Sequence, residues 1–590
     1  MAKLAVILYE GSPGVRELRL SRILEFFGVP WAYGEVSECG KTGMARPEYA
    51  VFGSIRTVVT ALERWGASVQ SPSPSAFYAW IDDNRALSIN ALQSLLEDVR
   101  VSLHEAPAGR VSACLRPEAV NLAGPMAGLE VPIQMRSEDS LLIGTAAGAK
   151  AKFDALISAG GAPIFIQLQH IGMPIFFCTS SDIVDIDQRV AGAFYDVKDH
   201  FCSVVPLVMF VRFMFPEVVW RPQEHGACLI IDDPLLRPKY GFCDFVKLRD
   251  LMRQHGFTTN IAFIPWNWRR TSLADARFFQ GELRHFSVSI HGCDHTGGEF
   301  GATSPAVLHS AASLAQSRMR DHETRTGIPY DPIMVFPQGV FSSACPEALK
   351  YNGFVAAVNT EVVPVDTGNA RTRIRDVWDV AIMTYGGFPI FTRRYAFHGL
   401  ENFAFDLLLG KPCLIVAHHD FFKDGGAALI ELVERIKRLN CCPQWRPLGQ
   451  VIRRACRRRF SGAGAEQVEM YGNDLLIDNP TGQSMKLEIR KKRSQDDFVS
   501  EILSDKTPVA WTTEGEHFVF SDRIRSCSEK CFRVVYREKA CAGKTRRSLG
   551  FELAVATRRI LSEFRDNYLF TSRLLSAPIE KLKSALRKPI

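Results

Sequence analysis

Three groups of residues in this 590-residue chain have the types and spacing to do chemistry together. Asp232-Asp233 ends the apolar run that starts at Gly226, His291-Gly-Cys-Asp-His295 ends a second, and His418-His419-Asp420 ends a third, Leu414-Ile-Val-Ala417. Two imidazoles and one carboxylate form a ligand set for a mononuclear divalent metal with a position left open for water. Such a site needs a separate base to take that water's proton. The carboxylate pair has one member for each task. Taken singly, each group has a plainer reading: paired Asp residues cap helices, a His-x-x-x-His spacing arises by coincidence, and adjacent histidines pack beside turns. Their occurrence together, each at the end of an apolar strand, favours chemistry.

The elements that must position these residues repeat a strand-then-helix rhythm between residues 225 and about 455. Cys228 to Ile231, Thr259 to Ile264, Phe286 to Ile290, Ile333 to Phe336, Val355 to Val358 and Cys413 to Ala417 are short and apolar throughout. Helical segments such as Phe245 to His255 and Pro305 to Thr326 lie between them. Continuous apolar strands imply burial on both faces by crossover helices, hence a parallel barrel or a doubly wound sheet. In such folds the chemistry collects beyond the C-terminal strand ends, where Asp232-Asp233, His291, Pro337-Gln338 and His418-His419 all fall. Glu224 and His225 would lie at the opposite end, in a structural role. Trp266 and Trp268 follow the strand ending at Ile264 and suit either a ligand-stacking wall or core packing.

Upstream, short β runs alternate with amphipathic stretches, and Pro163 to Gln169 and Pro174 to Thr179 read as a hairpin across His170-Ile-Gly172. This part reads as an α/β sandwich. No GxGxxG or P-loop occurs, and Gly144-Thr-Ala-Ala-Gly148 is read as a tight turn rather than an anion site. Cys202 to Trp220 is the most hydrophobic window, but Pro206, Arg212 and Pro216 interrupt it, so a buried core helix is expected rather than a membrane span. After the basic run Arg453 to Arg459 and a linker at Ser461 to Ala465, residues 466 to 540 suggest a small β-sandwich.

With 46% hydrophobic and 23% charged residues, the composition is that of a globular protein. The net charge of +7 is concentrated: residues 537 to 590 hold 13 Lys/Arg against 5 Asp/Glu. The remainder is near neutral, which argues against a nucleic-acid surface. The tail has helical period from Leu549 and is expected to be a solvated helix, with docking on a membrane surface or a partner protein as the alternative. The N-terminus lacks a signal-peptide core, and the 15 cysteines are scattered through apolar segments. Both suggest reduced thiols and a cytoplasmic location.

The motif set at 229 to 419 resembles the NodB-like polysaccharide deacetylases of the carbohydrate esterase family 4 type. The resemblance implies Asp232 as catalytic base, Asp233, His291 and His295 as metal ligands, and His419 as preferred general acid, with His418 the alternative. It implies a divalent ion, zinc first, then cobalt, nickel or manganese, and an acetylated carbohydrate as substrate. Trp266, Pro337 and Gln338 are the expected substrate contacts, with a backbone N–H near Pro337 aimed at the oxyanion. Gly292 stands where the family has Ser or Thr, and Pro234 where it has Gly. The family's Arg-x-Pro-aromatic motif is reduced to Val335-Phe336-Pro337-Gln338, so the Arg that orients the base must come from elsewhere, such as Arg393 or Arg394. The fourth motif has no clear counterpart, though Trp378-Asp379 lies in the right interval.

The expected architecture is therefore an N-terminal α/β domain (1–220), a NodB-like (β/α) barrel (225–460), a β-sandwich-like domain (466–545) and a basic amphipathic helical tail (546–590). The expected activity is metal-dependent deacetylation of N- or O-acetylated carbohydrate. Hydrolysis of non-peptide C–N bonds in small amides or ureides is one alternative, and non-catalytic carbohydrate binding the other.

Overall fold

The computed structural model describes residues 4–39, 49–66, 75–96, 99–107, 109–145, 153–366, 371–460, 464–494, 497–537 and 548–569. The apolar run Leu4–Tyr9 forms a strand flanked by Trp31–Glu35 and Tyr49–Ser54, all parallel, in a nine-stranded mixed sheet. The sheet continues through Ala76–Trp80 to the expected hairpin of Ala162–His170 and Met173–Cys178. The hairpin turns at Ile171 and Gly172, both at positive φ. One face packs on helices Ile55–Gly66 and Arg85–Leu96. The other receives helix Phe201–Met214, the expected core helix, whose Phe210 meets Phe52, Tyr78 and Phe176 edge-on or tilted. Among the described residues no helix is long and apolar enough to cross a membrane. Gly144–Gly148 lies largely outside the described residues.

Seven parallel strands build the barrel. They are β1 (Gly226–Asp232), β2 (Thr259–Phe263), β3 (Phe286–His291), β4 (Ile333–Val335), β5 (Ala356–Asn359), β6 (Ile390–Thr392 with Arg394–Tyr395) and β7 (Cys413–Ala417). Each pairs with the next, and β7 pairs with β1 through Ala227↔Cys413 to Ile231↔Ala417. β6 closes the ring: Ile390 to Thr392 pair with Ala357 to Asn359 on one side, and Arg394 and Tyr395 pair with Ile415 and Val416 on the other. Six of these strands were legible as apolar runs. β6 was not, because Thr392-Arg-Arg394 interrupts its pattern. The arginines are tolerated inside a barrel wall because both are buried against carboxylates, Arg393 on Asp232 and Arg394 on Asp406.

The strands are buried on both faces, as their composition requires, and a single apolar cluster runs from the N-terminal sheet through the barrel helices. Cys456–Phe460 does not end the barrel. It pairs with Arg221–Pro222 and Glu466–Met470 in a six-stranded sheet. That sheet shares a core with a four-stranded one, forming the expected C-terminal β-sandwich.

The C-terminal helix Leu549–Phe564 departs from expectation. It is not a solvated tail but lies across the mouth of the barrel, held by polar contacts. Arg270 pairs with Glu563, Tyr240 Oη donates to Asp566 Oδ2 at 3.0 Å, the Gly241 amide donates to Asn567 Oδ1 at 2.8 Å, and Arg558 donates to the Thr296 carbonyl at 2.7 Å. Val555 and Arg559 of the helix are buried, as is Asp566 in the π-helical turn Arg565–Leu569 that continues it, while Leu549, Leu553, Ile560 and Phe564 are exposed. The helix thus turns its polar stripe inward, which is why helical period alone misplaced it.

Candidate metal centre at the barrel mouth

β1 delivers Asp232 and Asp233 to one cavity by breaking its own alternation. Consecutive strand side chains point to opposite faces, but Asp233 has φ 81°, a conformation that Asp tolerates better than most residues. Both carboxylates therefore line a cavity of about 270 Å³ at the C-terminal ends of the strands. The positive φ before Pro234 is a sparsely populated backbone of the kind that persists where surrounding contacts hold it.

β3 ends at His291, whose Nδ1 lies 3.0 Å from the Val335 carbonyl. Donation there orients the ring and directs Nε2 at Asp233. His295 follows one turn later at φ 58°. Asp233 Oδ1 lies 3.1 Å from His295 Nε2 and 3.5 Å from His291 Nε2, yet it accepts no aligned hydrogen bond from either. Metal bonds of about 2.0 to 2.2 Å in tetrahedral arrangement place neighbouring donor atoms roughly 3.3 to 3.6 Å apart. The three atoms have the spacing that a shared divalent cation would require, and they are the candidate cluster found among the described residues.

The loop that presents His295 explains Gly292. Its φ is 67°, and a Cβ there would lie 2.2 Å from Glu299 Oε1 and 2.4 Å from Pro337 Cγ. Glu299 needs that space. Its Oε1 accepts from the amides of Cys293 (2.6 Å) and His295 (3.2 Å), and its Oε2 from the amide of Asp294 (3.1 Å). The carboxylate thus clamps three successive amides of the loop that carries His295. Nothing in the sequence spacing marked Glu299 for this role. Glu299→Ala is expected to weaken divalent-metal binding about 10- to 100-fold, as for other groups that orient ligands. Metal titration by calorimetry checks this, and an affinity equal to wild type would remove Glu299 from the site's support.

Asp232 is buried and gripped by Arg393 through two parallel bonds of 2.6 and 2.7 Å. Burial alone would raise its pKa. The Arg393 charge, aided by His291 and His418, outweighs burial and holds the carboxyl below its ordinary value. At Asp233 burial is likewise overcome, by His295 and His291, and its pKa falls well below the usual range. The Arg absent before Pro337 is thus replaced by one from β6. Arg394 serves elsewhere, on Asp406 and the Tyr195 carbonyl.

The two adjacent histidines have different surroundings. His418 lines the cavity, with its Nε2 3.4 Å from Tyr395 Oη. His419 turns away, with its Nε2 3.5 Å from Asp566 Oδ1 and its ring against Tyr240 and Phe242. Adjacent residues leaving a strand cannot both face the mouth without a break such as that at Asp233.

Gln338 and Gly339 line the cavity, but Pro337 abuts Gly292 instead. Trp266 is also absent from the wall. Its ring lies beneath Arg270, and the next residue, Asn267, reaches the cavity. Trp378 is core, and Asp379 pairs with Arg457 and Tyr471 away from the mouth. Glu224 is bound by Arg446, as befits a structural residue.

Fold and site together define a closed seven-stranded (β/α) barrel with an Asp-His-His cluster, and a second carboxylate beside it, at the C-terminal mouth. No family model matches the chain, and no curated protein matches it in sequence. Among solved structures it is similar to the carbohydrate deacetylase Agd3, with 8% identity and a TM-score of 0.46 over 90% of this chain and 98% of that one. It is also similar to a family 4 carbohydrate esterase from Streptomyces lividans, with 14% identity and a TM-score of 0.22 over 36% of this chain and 87% of that one. A family 4 pseudoenzyme from Bacillus anthracis shows 12% identity and a TM-score of 0.24 over 39% and 69%.

Proposed function

We propose that the protein is a metal-dependent deacetylase of N- or O-acetylated carbohydrate. The observation that carries this reading is the convergence of Asp233, His291 and His295 beside Asp232, a carboxylate kept ionised by Arg393 and outside the ligand set. A divalent cation held there would supply Lewis-acid polarisation of the acyl carbonyl and acidify a water. Two imidazoles and a carboxylate suit zinc, and also cobalt or nickel.

In this reading Asp232 accepts the proton of the attacking water, and Arg393 both orients that carboxylate and disperses its charge. His418, on the cavity wall opposite β3, donates a proton to the sugar nitrogen or oxygen as the acyl bond breaks. Gln338 and Gly339 bound the space where the acyl group sits. The acetylated-sugar substrate rests on the motif resemblance at 229 to 419.

The test is acetate release from acetylated oligosaccharides by the full chain, abolished by a chelator and restored by zinc, cobalt or nickel. A protein that binds no divalent metal at this triad would overturn the reading. Release of ammonia or a free amine from small amides or ureides, without acetate from any saccharide, would replace it with C–N bond hydrolysis. The acid is assigned by a pair of variants. His418→Gln is expected to lower kcat by about 10²- to 10⁴-fold with metal retained, whereas His419→Gln chiefly loosens the C-terminal helix, read as faster proteolysis after residue 548.

A further inference from the structure

The C-terminal helix does more than cover the mouth. Arg558, Arg559, Ser562, Glu563, Arg565 and Asp566 form part of the wall of the cavity that holds the Asp-His-His cluster. Its acidic residues there are already matched. Glu563 is paired with Arg270, and Asp566 with Arg565 at 2.8 Å, with further contacts to Tyr240 and His419. Its basic residues are not all matched. Arg559 is only 7% exposed, its Nη2 donates to Ser562 Oγ at 3.2 Å, and its Nε has no partner. Among the described residues no carboxylate lies within ion-pair distance of it. Arg558, at the rim, is anchored to a backbone carbonyl rather than to an acid.

A guanidinium stays charged at any physiological pH, and a buried charge without a counterion is unfavourable unless a ligand supplies one. Asp233 and Asp566 act on Arg559 only from beyond ion-pair distance, and a divalent cation on the triad would offset the Asp233 charge. On the barrel side of the cavity the Arg393 charge is already balanced by Asp232. Glu361 also lines the cavity, so the unmatched positive charge is local, on Arg559 and Arg558 of the helix.

We propose that the C-terminal helix completes the binding site and that Arg559, with Arg558 at the rim, binds an anionic substituent of the saccharide, a carboxylate or a phosphate. The substrate class is thus an acidic acetylated saccharide rather than a neutral one, and Arg559 is its specificity residue. This deepens the deacetylase reading and rests on it for the identity of the ligand as a sugar.

Calorimetry on the full wild-type chain, without turnover, tests the inference with four probes: an N-acetylated disaccharide bearing a uronate, N-acetylglucosamine 6-phosphate, neutral di-N-acetylchitobiose and inorganic phosphate. At least one acidic sugar is expected to bind tenfold or more tightly than the neutral disaccharide, and more tightly than phosphate alone. Which acidic sugar wins identifies the anion. In Arg559→Gln the ratio of acidic to neutral affinity is expected to fall to about one, and Arg559→Lys should restore part of it. Should Arg559→Gln fail to fold, the wild-type preference must still fall steeply with added salt while neutral binding does not. Equal binding of neutral and acidic sugars, no binding of any acidic sugar at millimolar concentration, or a preference that survives in Arg559→Gln would each overturn the inference. An acidic preference in a protein that releases no acetate would leave the inference standing and sink the deacetylase reading instead.

Discussion

Asp232→Asn is expected to lower kcat on an acetylated saccharide by about 10²- to 10⁴-fold while the protein still binds its divalent metal. The reason is a division of labour within one dipeptide. Asp233 Oδ1 faces both histidine Nε2 atoms, whereas both oxygens of Asp232 are engaged by Arg393. Asparagine preserves the shape of the side chain but cannot take a proton from water, so metal titration should look like wild type while turnover collapses. His291→Ala provides the contrast, since it removes a ligand and should lose metal and activity together. Near-wild-type turnover in Asp232→Asn would show that the base lies elsewhere. Loss of metal in that variant would show that the ligand set is larger than the Asp-His-His cluster.

Arg393→Met is expected to be the most destabilising single change in the barrel. Arg393 and Asp232 are each about 3% exposed, and removing one partner of a buried ion pair leaves the other uncompensated, which costs about 3 to 5 kcal/mol. The shift in urea midpoint measures this. The double variant Asp232→Asn/Arg393→Met should be more stable than Arg393→Met alone, because the stranded carboxylate is gone, a non-additivity expected of residues in contact. Arg393→Lys should recover stability only in part, since an ammonium cannot reproduce the two parallel bonds. All three variants should lack normal turnover. If Arg393→Met unfolded at the wild-type midpoint, the pair would not be the support of Asp232 that its geometry describes.

Both expectations concern residues that the sequence revealed unequally. Asp232, Asp233 and His291 were legible because they end apolar strands, and His295 because it follows His291 at His-x-x-x-His spacing; a strand's end is where a barrel collects its polar side chains. Arg393 was named only as one of two cations able to fill a gap. Choosing it required knowing that residues 390–395 form a strand, and Thr392-Arg-Arg394 hides that. Only ring closure, with β5 on one side and β7 on the other, places Arg393 opposite β1. Glu299 was invisible because its role is to clamp amides, and any carboxylate a few residues after a loop looks the same in sequence.

The orientations of the histidine pair and of the tail escaped the sequence for a common reason. Periodicity tells which residues share a face but not which face meets the protein. At His418-His419 a half-turn of backbone decides which ring enters the cavity. At the C-terminal helix the apolar stripe is outward and the polar one inward, against the usual rule, because the surface it covers is the charged rim of a barrel mouth. By itself, then, the sequence determined a parallel strand-and-helix architecture, open between barrel and doubly wound sheet until the motif resemblance, together with the Asp-His-His trio and the carboxylate beside it, all properties of local pattern and strand ends. The tertiary structure alone decided which cation holds Asp232, which histidine faces the cavity and that residues near 559 belong to the site. Those depend on contacts between segments more than a hundred residues apart in the chain, whose partners no local pattern encodes.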